Sequence, residues 1–254
     1  MSGHSKWATI KHKKGAADAK RGKVFSKIAK EMTVVAKQGG GDPNNNPALR
    51  TLIAKAKAVN MPNDNIDRAI KKGTGELAAD ILEEITYEGY AAGGVGLVVK
   101  VLTDNKNRAA AEVRNVFRKN NSDFATLGSV SRNFERKGMI LVPAAEATED
   151  QLMEVVLGAG ADDMETEEEG FTVTCTPSAY SAVCEALEAA GIAFDQENSR
   201  VGLMPTALAP VTDVAVAKSV NKFIAALEEL EDIQDVYNNM DVSDEIAEAA
   251  EAEE

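Results

Sequence analysis

A chain of 254 residues, 44% apolar and 27% charged, has the make-up of a soluble globular protein of one to three domains, and no apolar run reaches the roughly 18 residues that cross a bilayer. Two cysteines, Cys175 and Cys184, are too few for a disulfide framework and read as buried free thiols in a reducing compartment. The net charge of −13 argues against nucleic acid for the chain as a whole, yet it is segregated: residues 1–75 carry +11, residues 76–137 zero and residues 138–254 −24.

The opening, MSGHSKWATIKHKK, is basic but lacks the apolar centre of a secretory signal, so a cytoplasmic location is expected. Residues 1–22 have no periodic apolar face and read as a flexible basic arm punctuated by glycine. Helical periodicity begins at Val24 and continues through Ile28, Met32 and Val35 until Gly39, Gly40 and Gly41 stop it. Asn46 and Pro47 suit the cap and first turn of a second helix with Leu49, Leu52, Ile53 and Ala56 inward. Pro62 opens a third, carrying Ile66, Ala69 and Ile70, with Gly73 as its stop. Residues 23–78 therefore make a three-helix domain.

From Glu84 the period changes. Residues 84–90 read as a strand, Gly93 and Gly94 as a turn, and residues 97–104 as a strand buried on both faces. Residues 107–120 form a helix with Ala110, Val113, Val116 and Phe117 inward, and residues 129–142 read as a hairpin turning at Arg136, Lys137 and Gly138. Thr148 and Gln151 form a capping box, two strands flank an acidic turn near Gly170, and Thr176 and Pro177 open a helix bearing Tyr180, Val183 and Leu187. A strand within 191–205 follows, then a helix capped by Thr212 with Val216, Val220, Phe223 and Leu227, and a strand at 235–238.

That last helix and strand have no partner nearby, so they are expected to return to residues 79–142 and complete a β-α-β-β-α-β sheet. The resulting α+β architecture has an N-terminal three-helix domain, a second domain of residues 79–142 plus 208–240, and an acidic third domain, 143–207, inserted in it. Residues 241–254 read as a low-complexity acidic tail that frays.

No reaction is legible. The only histidines, His4 and His12, lie in the arm with no Cys or carboxylate pair at ligand spacing, so no metal, cofactor or His-based catalysis is expected. Gly93, Gly94 and Gly96 precede a strand and lack the Lys-Ser/Thr ending of a phosphate loop, which leaves a tight turn. The arm differs. Lys6, Lys11, Lys13, Lys14, Lys20, Arg21 and Lys23 place seven cations within 18 residues, with Trp7 and His12 between them. Cations release counterions from phosphates and a flat ring stacks on an unpaired base; about six phosphate contacts would give a log–log salt slope of roughly −4 to −5. A basic tail that only aids solubility is the plainer reading, but Lys27, Lys30 and Lys37 continue the bias and favour nucleic acid.

A helix-turn-helix across Asn60, Met61 and Pro62 would put Arg68, Lys71 and Lys72 near DNA, but Asp64 and Asp67 oppose it and a plain bundle is favoured. In the second domain, Lys106, Arg108, Arg114, Arg118 and Lys119 crowd one helix, and Arg132, Arg136 and Lys137 the segment after it. A solvated helix face and an RNA-contacting surface are equally good readings of them.

The opening MSGHSKWATIKHKK, the text around Arg21–Lys27, TDNKNRAAAEVRN at 103–115 and LGSVSRNFERKG at 127–138 closely resemble the YebC/PmpR family over essentially the whole chain except the acidic tail. The resemblance implies a helical domain and two α+β domains, the third inserted in the second. It also implies a cytoplasmic, non-enzymatic regulator of gene expression. Many members are called DNA-binding transcriptional regulators; the mitochondrial relative is similar to a translational activator, and bacterial relatives to factors that assist ribosomes stalled on proline-rich stretches. Carried over by position, Ser5, Lys6, Trp7, Lys11, His12, Lys13 and Lys14 are the implied nucleic-acid contacts. A ribosome-associated monomer that binds ribosomal RNA is the first expectation, a DNA-binding regulator the second, and an adaptor using the acidic domain the third.

Overall fold

The computed structural model describes residues 17–251. Helix α1 (Ala17–Gly39) starts before Val24, so residues 17–22, expected in the arm, are helical; Ala17, Ala19, Lys20 and Arg21 are all good helix formers. Helices α2 (Pro47–Ala58) and α3 (Asn63–Thr74) complete the bundle, whose centre is Ile28, Met32, Leu49, Met61 and Ile66. Asn46 caps α2 by accepting from the Leu49 N–H at 3.1 Å, and its amide donates to Val35 and Gly40 carbonyls, tying the turn to the end of α1.

Helix α3 runs through Gly73 and ends at Gly75, whose φ of +85° is the left-handed stop. Gly73 serves packing instead: a Cβ there would lie 2.5 Å from the Thr33 carbonyl oxygen and 2.7 Å from Ala36 Cβ. Pro62 is the cap of α3 and not its first helical residue.

Strands β1 (Glu83–Tyr90) and β2 (Gly96–Thr103) form an antiparallel hairpin through Gly93 and Gly94, both at positive φ. Helix α4 (Lys106–Lys119) follows. Strand β3 (Phe134–Pro143) is one continuous strand with no hairpin at 136–138. Gly138 lies under a helix, where a Cβ would meet Cys175 Sγ at 2.7 Å and the Tyr180 ring at 2.8 Å.

Next come α5 (Glu149–Gly158), β4 (Ala161–Thr166), β5 (Gly170–Cys175), α6 (Tyr180–Ala189) and β6 (Arg200–Pro205). Together with β3 they form a four-stranded antiparallel sheet ordered β4-β5-β3-β6. Here, in the insert, lies the β-α-β-β-α-β order expected of the outer domain. Residues 134–142, assigned above to the second domain, pair in this sheet because Ile140 and Val142 face the core beneath α5 and α6.

The outer sheet has three strands, the β1–β2 hairpin and a third that follows the insert and lies beside β2. After β7 (Ala209–Pro210) the chain forms α7 (Val214–Glu228), capped by Asp213 and not Thr212, then β8 (Ile233–Asn238), paired with β2. Leu97, Val99 and Val101 of β2 pack against Val113, Phe117, Phe223 and Leu227 of α4 and α7. Val98, on the opposite face, packs against Val130 and Phe134. Strand β2 is thus buried on both faces, by helices on one side and by the approach to the insert on the other. Strand β9 (Met240–Asp241) pairs with β7, and α8 (Asp244–Glu251), expected to fray, is helical and buries Ala247 and Ala250.

Candidate nucleic-acid interface

Of the residues assigned to nucleic acid, Ser5, Lys6, Trp7, Lys11, His12, Lys13 and Lys14 lie outside the described residues. Lys20 and Arg21 stand near the start of α1. Lys23 is turned into the protein: its ammonium donates to the Glu229 carbonyl at 3.0 Å and pairs with the Glu229 carboxylate.

Two further lysines behave alike. Lys27 donates to the Glu228 carbonyl at 3.4 Å, and Lys30 to the Glu231 carbonyl at 3.3 Å and Asp232 Oδ1 at 2.8 Å. Positions 23, 27 and 30 share one helical face, and that face meets the C-terminal end of α7. Unpaired carbonyls make such an end negative, and four acidic residues, Glu228, Glu229, Glu231 and Asp232, deepen it. The lysine comb therefore fastens the helical domain to the outer domain.

Asp232 is the centre of the fastening. Its carboxylate is 4% exposed and accepts from Lys30, from Arg108 at 2.8 Å and from Thr103 Oγ1 at 2.8 Å. Burial alone would raise its pKa; the hydrogen bonds from Lys30, Arg108 and Thr103 outweigh burial and hold it below the usual carboxylate range. Arg108 also pairs with Asp104 at 2.7 Å, and these hydrogen bonds keep its guanidinium charged. Beside them a cleft of about 430 Å³ opens between the helical and outer domains, walled by Phe25, Lys30, Arg68, Lys72, Arg108 and Asp232.

A second ionic group joins all three domains. Arg200 of β6 pairs with Asp235 of β8 at 2.8 Å and lies 5.5 Å from the centre of the Tyr237 ring. Glu31 of α1 is nearby; burial raises its pKa against the opposing charges of Lys55, Arg200 and Lys27. One sequence signal pointed to this group: Arg200 is the sole arginine after Arg136.

The eight cations on α4 and the segment after it separate cleanly. Lys106 pairs with Glu83, Arg108 with Asp104 and Asp232, and Lys137 with Asp162 at 2.8 Å and Glu135 at 3.9 Å. Arg114, Arg118, Lys119, Arg132 and Arg136 are exposed and form no ion pair among the described residues. In α3, Asp64 and Asp67 are exposed alongside Arg68, Lys71 and Lys72, a mixed face.

Cys175 is buried and Cys184 half-buried, both free; burial pushes their thiols up to about 11 and about 12, away from thiolate chemistry. Among the described residues no group of three His, Cys, Asp or Glu is placed to hold a metal ion, and no helix is long and apolar enough to cross a membrane.

Comparison with known proteins follows the same division of the chain. Residues 5–76 match the model of the TACO1/YebC protein N-terminal domain, and residues 82–240 that of the TACO1/YebC second and third domain. The chain is 50% identical over 248 residues to a "probable transcriptional regulatory protein" of Desulfotalea psychrophila, covering 98% of each. It is 52% identical over 246 residues to one of Treponema pallidum, covering 97% of this chain and 99% of the other. A crystal structure of a conserved hypothetical protein from Aquifex aeolicus superposes with a TM-score of 0.83 at 44% identity, over 94% of this chain and 98% of that one.

Proposed function

The chain belongs to the TACO1/YebC family, and from that premise we propose that it is a non-enzymatic, nucleic-acid-binding regulator of gene expression that works on the ribosome, with ribosomal RNA as its target. The observation that carries the reading is charge placement. Residues 1–75 hold 16 basic against 5 acidic residues, and the described part of α1 spends its face at 23, 27 and 30 on the outer domain. With those three lysines spent, the reading gives the main phosphate contacts to the dense run of cations ahead of Lys23, joined to a body whose acidic insert would be repelled by a polyanion.

Orientation is the only help such a protein can give a slow step, since its chemistry lies in positioned cations. The mixed face of α3 argues against an operator-reading helix, because Asp64 and Asp67 occupy its first two turns. A DNA-binding role keeps its place as a second reading because the relatives named above are called transcriptional regulatory proteins.

Ultraviolet crosslinking in growing cells, with both RNA and DNA recovered and sequenced, separates the two. Ribosomal RNA concentrated in one region, and lost when Lys11, Lys13 and Lys14 are all replaced by Glu, is the expected result. Discrete promoter DNA without ribosomal RNA would make this a transcription factor.

A further inference from the structure

The proposed function leaves five exposed cations, Arg114, Arg118, Lys119, Arg132 and Arg136, without a role, and the first of them lies beside an unusual aromatic arrangement. Only 12 of the 254 residues are aromatic, yet Tyr87 and Tyr90 lie on β1 and Phe124 on the segment bridged to its free edge. The rings of Tyr87 and Phe124 stack with centroids 4.8 Å apart and 21° between planes. The Arg114 guanidinium lies 5.5 Å from the Phe124 centroid. Tyr90 ends the strand, 46% exposed. Arg118 and Lys119 stand one turn further along α4, and Arg132 on the short turn that closes the loop, all exposed.

This arrangement is built into the backbone. Phe124 bridges to Gly89 across the strand edge, and a Cβ at Gly89 would lie 2.3 Å from the Phe117 ring. Ser122 Oγ donates to the Tyr90 carbonyl at 2.6 Å and the Ala125 N–H to the Glu88 carbonyl at 2.7 Å. The Glu88 carboxylate, 2% exposed, accepts from the N–H groups of Gly128, Val130 and Ser131 at 2.8, 2.7 and 3.0 Å. A buried carboxylate is costly unless fully bonded, so the loop it serves has one shape.

We propose that this edge is a second nucleic-acid contact, one that takes the unpaired bases of a single strand. It rests on the reading of the protein as a nucleic-acid-binding regulator and says where, beyond the N-terminal cations, the strand runs. Guanidinium planes and aromatic rings stack on bases whatever their sequence, and neighbouring cations hold the backbone. A duplex hides its base faces, so the contact distinguishes the two forms.

The test uses the full chain and a fluorescein-labelled 12-nucleotide single-stranded RNA, with a duplex of equal length alongside, read by anisotropy across a salt series. Replacing Arg114, Arg118 and Lys119 together by Gln lowers single-strand affinity about ten-fold and flattens the log–log salt slope by about 2, three contacts at roughly 0.7 each. Tyr90→Ala weakens the single strand about ten-fold with the slope unchanged, and Tyr90→Phe restores it. Circular dichroism confirms that these surface variants fold. A triple variant with the affinity and slope of the parent protein overturns the proposal, as does duplex binding as tight as single-strand binding. A parent protein that binds neither RNA at 50 mM salt defeats the proposed function itself, a different result from failure of this edge.

Discussion

Helices α1 and α4 both carry cations a helical turn apart, Lys23, Lys27 and Lys30 on one and Arg114 and Arg118 on the other, yet they meet opposite surroundings. The lysines reach the acidic end of α7 and are bonded there. The arginines look outward, one over an aromatic ring. Counting cations along a sequence treats both sets as a binding surface; only the position of the nearest carbonyl or carboxylate separates a clamp within the protein from a contact offered to a partner.

The sharpest way to break the contrast is at Asp232. Asp232→Ala leaves Lys30, Arg108 and Thr103 without their acceptor and is expected to cost about 2–3 kcal/mol in urea unfolding. That is below the ~3–5 kcal/mol of a fully buried pair, because Lys30 and Arg108 regain water. An unchanged urea midpoint would show that the clamp adds nothing to stability.

On the arginine side, Glu88→Gln keeps the shape but turns an acceptor into a donor facing N–H groups. The expected cost is about 1–2 kcal/mol, with faster hydrogen exchange at Gly128, Val130 and Ser131. Single-strand affinity should fall with it if the loop's shape matters to binding.

Smaller still is the effect of neutralising the acidic end of α7. Glu228, Glu229 and Glu231 changed together to Gln should move stability by less than about 1 kcal/mol, since Glu229 and Glu231 are exposed and Glu228 is only half-buried. The same change should raise nucleic-acid affinity roughly three- to ten-fold by breaking the Lys23–Glu229 ion pair and removing repulsion. Weaker binding in anisotropy titrations would mean the comb is purely structural.

Protonation sharpens the comparison last. Asp232 and Glu88 are both held below the usual carboxylate range, Glu88 by backbone N–H bonds that outweigh burial. Their stabilisation is full above the unfolded value near 4 and disappears as pH falls through the lower folded values. Glu31 has the opposite sign: burial raises it, so it costs stability once pH rises past its unfolded value. Glu31→Gln should therefore raise the melting temperature by about 1–2 °C at pH 7 and leave it unchanged near pH 4, checked by calorimetry.

Local signals were legible where a residue's own backbone chemistry decides the outcome. Asn46 and Thr148 cap their helices, the latter with its half of the capping box, and the near-continuous apolar run of β2, interrupted only by Lys100, forms a strand buried on both faces. Gly73 and Gly138 misled for a shared reason. Each reads as a breaker because glycine is free to turn, whereas each is needed for its missing Cβ, one beneath α1 and the other beneath Tyr180. That requirement lies in a neighbour distant in sequence. The tail misled by composition: its acidic repetition hid the spacing of Ile246, Ala247 and Ala250, which is enough for one buried face. As for the interface, charge segregation was legible, while the partners of Lys23, Lys27 and Lys30 lie some 200 residues away and leave no mark near the lysines.

Strands β3 and β6 are hydrogen-bonded neighbours, and the register sets Phe134, where the chain enters the insert, directly opposite Pro205, where it leaves. The Thr206 N–H donates to the Asn133 carbonyl at 2.8 Å just outside that pair. Entry and exit therefore share one doorway, and the whole insert is a removable module: a short Gly-Ser bridge from 133 to 206 spans the gap with little loop-closure entropy. The cassette so excised carries a net charge of −12 out of the chain's −13. What remains would be a nearly neutral miniature of the protein, 25 basic against 26 acidic residues, with Val98, Val130 and Tyr237 newly open to water as the scar of the excision.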